Sequence, residues 1–432
     1  MRKIIFTLIF LCATTLSIWA QEDSTGQASV TLSLEEAKSM AIERNKTLMN
    51  ASLDTKIAEA NRWKAISTML PQVNANLDYS NMCGYQMDFS GMNISMPPSG
   101  QLGVTVAMAV SGAQIVSTQL GKIAMDMSDI SLKKTEQDIV DQVRVLYYSA
   151  LVSEETEILL NKNLESIEKL YGYAKRSADV GVTEQIDADQ ILVQVATMRT
   201  TLNSTRRAKE MVYNSIRVFL DLDVNTEIAL SQGMDDLLSI DTAISLVNEE
   251  FIMDNNYGYQ LLQKNTELSK KQIAMAGWAY GPQLSAFYQY TGKKYFSDDK
   301  TFNMTPPNMV GLSLKIPIFS SGTRYSALTE AKMNYQKQQN TLAETENSLL
   351  IQHRQLVYNL KSAYERYETQ KQNIDVTQRV FNNISKKFEF GTASSIDVTT
   401  SGTNLITAQT SYVQSLLDFV NAQISLEKLL NK

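Results

Sequence analysis

Proline, histidine and cysteine are scarce in this 432-residue chain, and each scarcity excludes something. Only seven prolines occur, and all of them (Pro71, Pro97, Pro98, Pro282, Pro306, Pro307 and Pro317) fall in two short districts. Proline interrupts helices and tolerates strand ends and loops, so its confinement marks where a helical body stops. His353 is the only histidine; no Ser-His-Asp triad or multi-histidine metal cluster can be assembled, and it reads as a surface or interface side chain. Cys12 lies in an N-terminal apolar run, so Cys83 is left alone, no intrachain disulfide forms, and packing must hold the fold. Neither charge dominates: 40 basic residues against 46 acidic give −6, which offers no footprint for a polyanion and disfavours nucleic acid. Outside the N-terminus no apolar stretch approaches the roughly 18 residues of a membrane-spanning helix, so any insertion into lipid must use strands. Glycine-rich phosphate loops and zinc spacings are also missing; no cofactor and no enzyme activity are expected. Met82, Cys83, Met87, Met92 and Met96 crowd one segment and suit a soft metal such as Cu(I), with loop packing the plainer reading.

What is present begins with Arg2-Lys3, an apolar run from Ile4 to Ile18, and Trp19-Ala20, the pattern of a secretory signal over 1–20 with cleavage after Ala20. Residues 21–31 read as a flexible leader. From Tyr325 to Phe390 the chain then runs roughly 66 residues without Gly or Pro, which predicts one helix of roughly 100 Å. A second copy lies upstream. The downstream helix stops at Phe390-Gly391-Thr392-Ala393 before Ile396-Asp397, the upstream one at Val180-Gly181-Val182-Thr183 before Ile186-Asp187, and 391 − 181 = 397 − 187 = 210. The same offset pairs Phe381 with Tyr171, Tyr358 with Tyr148, and Ser321-Gly322 with Ser111-Gly112. A register held over this distance marks a tandem duplication. Repeat 1 spans 32–220 and repeat 2 spans 241–432, with an irregular equatorial linker over 221–240.

Each repeat opens with a lead-in helix, the first with a candidate break near Asn45, ending at Leu70-Pro71-Gln72 or Gly281-Pro282-Gln283. The period then changes to two. Val73, Ala75, Leu77 and Tyr79 alternate with Asn74, Asn76 and Asp78, and Leu284, Ala286, Tyr288 and Tyr290 with Ser285 and Gln289. Returning strands follow, Val104 to Val110 and Val310 to Ile318, giving hairpins over 72–110 and 283–319. Long helices over about 113–179 and 323–390 leave them directly, and reverse at the glycine tips into return helices over about 184–220 and 395–430. A return helix of roughly 36 residues covers about 55 Å, half its partner, so the lead-in helix must supply the rest, end to end, with a seam at mid-height.

Each strand shows an apolar face and a small or polar one. In lipid every backbone group must be paired, which requires a closed barrel, and four strands cannot close one. Three copies would supply 12 strands, within the even range of outer-membrane barrels. Tyr79, Trp278, Tyr280 and Tyr290 stand where an aromatic girdle belongs. The alternative, a secreted or periplasmic coiled-coil scaffold or adaptor without a pore, gives no reason for both hairpins to carry an apolar face.

Leu70-Pro71-Gln72 and Pro282-Gln283, Ile316-Pro317-Ile318-Phe319-Ser320-Ser321-Gly322 with Arg324 opening the second long helix, and the two tips ending Ile-Asp resemble, over nearly all the chain beyond the signal, the TolC-like family of outer-membrane efflux proteins. The resemblance implies a homotrimeric channel-tunnel: a mainly helical chain whose duplicated hairpins form a periplasmic α-barrel beneath a 12-stranded outer-membrane β-barrel. It further implies a passive exit duct for a tripartite efflux pump or a type I secretion system, with a periplasmic adaptor at the helical tips and an inner-membrane transporter supplying energy. Carried over by residue, the adaptor contact falls on Val180, Gly181, Val182 and Thr183 and on Phe390, Gly391, Thr392 and Ala393. Pore carboxylates fall on Asp187 and Asp397. The plainer roles are glycine as helix punctuation and aspartate as a helix N-terminal cap. Where some members lock the entrance with an Arg and a Tyr, this chain has Ala393 and Phe388, and a second pore carboxylate falls on Thr400, so a salt-bridged lock of that type is not expected.

Overall fold

The computed structural model describes residues 29–89, 92–95, 97–237, 240–296 and 305–432; the expected signal, leader residues 21–28 and Met96 lie outside the described residues. The described chain opens with a strand, β1 (Ser29–Leu32), and two helices, α1 (Leu34–Arg44) and α2 (Lys46–Ser67). Strands β2 (Gln72–Ser80), β3 (Gln86–Phe89), β4 (Met92–Ser95) and β5 (Ser99–Ser111) lead into the 68-residue helix α3 (Gly112–Asp179) and its return α4 (Gln185–Phe219). A linker carries β6 (Glu227–Leu230) and the short helices α5 (Met234–Leu237) and α6 (Ile240–Leu246). The second repeat comprises α7 (Tyr257–Trp278), β7 (Gln283–Tyr295), β8 (Asn308–Lys315), the 67-residue α8 (Thr323–Glu389) and α9 (Ser395–Leu430).

Long helix α3 packs against α2 and α7 toward the strands and against α4 and α9 toward the tips, while α8 packs on α7 above and α9 below. Each long helix is thus matched by two short ones laid end to end, and the joint is an asparagine. Asn45 caps α2, its Oδ1 accepting from Thr47 N at 2.9 Å, and its Nδ2 donates to Phe219 O at the end of α4, 3.1 Å away. Asn256 repeats the device: Oδ1 accepts from Tyr259 N at 3.0 Å and Nδ2 donates to Leu429 O in α9 at 3.4 Å. One side chain therefore satisfies an orphan donor of one helix and an orphan acceptor of the other. Asn45→Ala or Asn256→Ala removes both bonds at once, and each should cost about 1–2 kcal/mol, read as a lower denaturation midpoint.

Two segments differ from the sequence expectation. Residues 29–31 of the leader belong to β1, which pairs in parallel with β6 inside the stretch read as irregular linker. Tertiary burial makes the difference: Leu32 is 1% exposed, and Tyr147 OH donates to its carbonyl at 2.9 Å. Strand β8 ends at Lys315, short of the expected Ile318. Pro317 has no N–H for the ladder, and Ile318 and Phe319 point into solvent at 93% and 85% exposed. The first outer loop also contains the β3–β4 hairpin, into which Met87 and Met92 fall.

A charged cluster ties the repeats together at mid-height. Arg144 of α3 pairs with Glu427 of α9 and reaches Asp141 at 3.6 Å. Lys428 and Lys134 both hold Asp138, at 2.5 and 2.8 Å. Asp141 is buried, and its Oδ2 has no hydrogen-bond partner among the described residues. Burial pushes its carboxyl up to about 6, against the pull of Arg144.

Candidate functional site

At the tip of each long helix the chain reverses through the same motif. Gly181, at φ +77°, donates N–H to Ala178 O at 2.9 Å, and Val182 N donates to Ser177 O at 2.9 Å. Gly391, at φ +70°, donates to Phe388 O at 2.9 Å while Thr392 N donates to Lys387 O at 2.8 Å. This pairing of a 6→1 and a 5→2 bond closes a helix in the left-handed conformation that glycine adopts without penalty. A Cβ at either glycine would meet nothing within 4 Å, so the requirement is the backbone angle and not space. The side chains around the turns are left in solvent: Val180, Val182 and Phe390 are 74%, 75% and 82% exposed, and Thr183 and Thr392 are exposed beside them. Ala393 is half-buried.

Behind the tips the two hairpins pack as one cluster, with Leu160, Ile167 and Leu170 of α3 and Ile191, Val195 and Met198 of α4 against Phe381, Val398 and Leu405 of α8 and α9. Phe388, standing where a locking tyrosine would be, packs onto this cluster.

The two aspartates take different places. Asp397 belongs to a capping box: its Oδ2 accepts from Ser394 N at 3.0 Å and from Ser394 Oγ at 2.8 Å, and its own N–H donates to Ser394 Oγ at 3.2 Å. The backbone bond from Ser394, then its hydroxyl bond, hold the Asp397 carboxyl below the usual carboxylate range. Asp187, half-buried in the first turn of α4, instead accepts from Ser395 Oγ of α9 at 2.5 Å, and Ser395 also lies 2.8 Å from Gln190 Oε1. Ser395 is 2% exposed and is the polar contact that joins the two hairpins at their ends. Sequence reading passed it over, because a serine opening a helix looks like a cap and its 210-offset counterpart is Gln185.

At the opposite end lies a four-stranded antiparallel sheet in the order β2-β5-β7-β8. Its register aligns like with like. Val310, Tyr288, Val106 and Val73 form one row across all four strands, and Leu314, Leu284 and Val110 another, all on one face. The other face carries Ser313 opposite Ser285 and Thr105 opposite Asn74, with Phe287 and Asn76 lying so close over Gly311 and Gly103 that a Cβ there would collide. Among the described residues neither edge strand has a second partner, and Leu77, Val310 and Leu312 are 81%, 78% and 74% exposed. Tyr79 and Tyr290 lie toward the outer ends of their strands. Trp278 and Tyr280 sit at the helix junction, the first over Gly112 and the second under the Arg324 guanidinium at 5.1 Å, so the expected girdle residues occupy two levels. Among the described residues no helix is long and apolar enough to cross a membrane, and no group of three or more His, Cys, Asp or Glu side chains is placed to hold a metal ion.

The sequence pattern of the family described as "Outer membrane efflux protein" matches residues 37–218 and 260–432. Outer membrane protein TolC of Escherichia coli K12 is 22% identical over 454 residues, covering 100% of this chain and 86% of TolC. The toluene efflux pump outer membrane protein TtgC of Pseudomonas putida is 20% identical over 312 residues, 70% of this chain, and the chain spans 62% of the length of TtgC. Among solved structures, the Campylobacter jejuni CmeC outer membrane channel superposes with a TM-score of 0.77 at 15% identity, covering 92% of this chain and 85% of CmeC. The open state of the Neisseria gonorrhoeae MtrE channel gives 0.75 at 14%, covering 92% and 88%. These likenesses show the shared fold of helical tunnel and β-barrel, and since the family pattern spans both repeats, the chain belongs to the outer membrane efflux protein family, its sheet in the outer membrane and its helical body in the periplasm.

Proposed function

We propose that three copies of this chain close into a channel-tunnel that serves as the passive exit duct of a tripartite efflux pump, with a type I secretion system as the related use. The observation that carries this reading is the sheet: two-faced and, among the described residues, four strands wide and open at both edges, it satisfies its backbone in lipid only when β8 of one copy pairs with β2 of the next. The scaffold alternative has no use for such a sheet.

The helical tips are the docking end for a periplasmic adaptor, through Val180, Gly181, Val182 and Thr183 and through Phe390, Gly391, Thr392 and Ala393. Exposed valines and a phenylalanine on two geometrically equivalent turns give a trimer six related apolar tips, and an inner-membrane transporter behind the adaptor supplies the energy. Asp187 and Asp397 place six carboxylates at the same end, a field that favours cations. Capping by Ser394 does not remove the charge of Asp397, because those hydrogen bonds stabilise its ionised form.

The test is export from cells. A strain lacking this chain should retain the pump's substrates, and wild type should restore their efflux. Gly181→Val combined with Gly391→Val forces β-branched residues into left-handed turns at about 1–3 kcal/mol each. That variant should still reach the outer membrane as a trimer yet lose at least ten-fold in export. Undiminished export would remove the tips from the docking surface.

A further inference from the structure

The apolar face of the sheet carries one charge. Rows cross it from Leu314, Leu284 and Val110 at the helix junction to Tyr79, Gly100 and Lys294 at the outer end. Among the described residues Lys294 is the only charged side chain on that face of the four strands; Asp78, Lys293 and Lys315 belong to the other face. Lys294 stands ten residues beyond Leu284 on β7, roughly 34 Å along an antiparallel strand. At a strand tilt near 40° this is about 26 Å of height, which matches the apolar band of an outer-membrane barrel. The lysine therefore lies where hydrocarbon gives way to headgroups, on the side of the outer loops.

Its surroundings form a shallow site. A Cβ on Gly100 would stand 3.2 Å from the Phe296 ring, so that ring lies over the row between Tyr79 and Lys294, with its centroid 6.1 Å from that of Tyr79. Phe296 N donates to Pro98 O at 2.8 Å, which ties the ring's backbone to the neighbouring loop. One row inward Gly292 has no side chain, and the Tyr290 hydroxyl reaches to 3.5 Å from the place its Cβ would take.

The polar groups of this site are unspent. Lys294 is exposed, and among the described residues it has no ion pair, hydrogen bond or ring contact; Tyr290 OH has no hydrogen bond there either. Their neighbours are engaged: Lys293 lies over the Tyr295 ring at 4.8 Å, and Tyr288 OH donates to Asn308 Oδ1 at 2.8 Å. A tyrosine hydroxyl and an ammonium at the edge of hydrocarbon both require polar partners.

We propose that the outer rim of the barrel binds a phosphorylated glycolipid of the outer leaflet, with Lys294 Nζ pairing with a phosphate, Tyr290 OH donating to it, and the rings of Tyr79 and Phe296 lying against its sugar. This rests on the barrel reading above, which sets the apolar face against lipid. A lysine at this height keeps its stem in the apolar layer and its ammonium among the headgroups. No carboxylate of the described residues stands beside it, so its counter-charge comes from the lipid, and an ammonium is a point-charge partner for phosphate. The exposed rings supply flat apolar faces of the kind that sugars stack upon, which favours a glycolipid over a simple phospholipid. Three copies repeat the site three times around the rim.

Native mass spectrometry of the detergent-purified trimer, titrated with diphosphoryl lipid A, with the same lipid stripped of its phosphates and with inorganic phosphate, tests the site. Wild type should hold up to three molecules of diphosphoryl lipid A per trimer and bind the stripped lipid at least about five-fold more weakly. Lys294→Gln should weaken binding of the phosphorylated lipid by about five-fold or more and Tyr290→Phe by about two-fold, while Lys294→Arg keeps it. Lys293→Gln, one residue along on the lumen face, should stay within about two-fold of wild type, and the trimer mass of each variant shows that it folds. If Lys294→Gln binds as wild type does, or if Lys293→Gln loses as much, the site is overturned and the duct stands. Displacement of the lipid by equimolar inorganic phosphate overturns the lipid as ligand in favour of a free anion. A monomeric mass for wild type overturns the barrel reading and this proposal with it.

Discussion

Leu312→Arg should remove most of the protein from the outer membrane. Leu312 lies near the middle of β8, 74% exposed in the single chain, between Val310 and Leu314 on the face whose rows are apolar from strand to strand. If that face meets lipid, a guanidinium near the bilayer midplane costs about 2–4 kcal/mol, and a trimer incurs it three times. Together these penalties rival the whole stability of an ordinary domain. Ser313→Arg, one residue along, turns the same charge to the opposite face, where water in the lumen solvates it. Membrane fractionation and the trimer band on unheated gels should separate the two variants: Leu312→Arg depleted, Ser313→Arg close to wild type. Equal loss in both would mean that the sheet does not have one lipid face and one watery face.

Arg144→Ala should produce the largest loss of stability in the helical body, about 3–5 kcal/mol, because it leaves two buried carboxylates, Asp141 and Glu427, without their shared cation. The same residue links α3 to α9, so the loss should show as a lower thermal midpoint of the whole body and not as fraying of one end. Asp141→Asn should act in the opposite direction, and its effect should depend on pH. Burial raises the Asp141 carboxyl from 3.8 to about 6 in the fold, so its ionised form is a penalty fully present above pH 6. That penalty shrinks as pH falls from about 6 toward 3.8 and is gone below it. At pH 8 the asparagine variant should therefore be more stable than wild type by on the order of 2–3 kcal/mol, with the difference closing near pH 4. Midpoints measured at both values check the sign; a variant less stable at pH 8 would mean that ionised Asp141 earns more from Arg144 than burial takes away.

The parts of this fold that were legible in the sequence are those with a long repeat or a short period. The 210 offset exposed the duplication, confinement of proline delimited the strands, and period-two alternation placed the apolar rows that the register then aligned. Features that depend on residues far apart in the chain left no such trace. Strands β1 and β6 are four residues each and pair across nearly 200 positions, so neither looks like a strand locally. Asn45 was visible as a break, but its bond to Phe219 O was not, since nothing in the sequence says which helix end will arrive beside it. At the tips the glycines were read from their position and hold the left-handed turns. Asp187 and Asp397 look identical within their Ile-Asp motifs, yet one bridges hairpins and the other caps its own helix. That distinction arises from Ser394 and Ser395, which have Glu184 and Gln185 as their counterparts in the first repeat.

Single-channel recording of the purified protein in planar bilayers tests the trimeric duct most directly. The duct predicts stable, uniform conductance steps of trimeric size with a preference for cations, and a weaker preference in the Asp187→Asn/Asp397→Asn variant. A folded, helical protein that enters the bilayer without conducting, or that never enters it, would contradict the account.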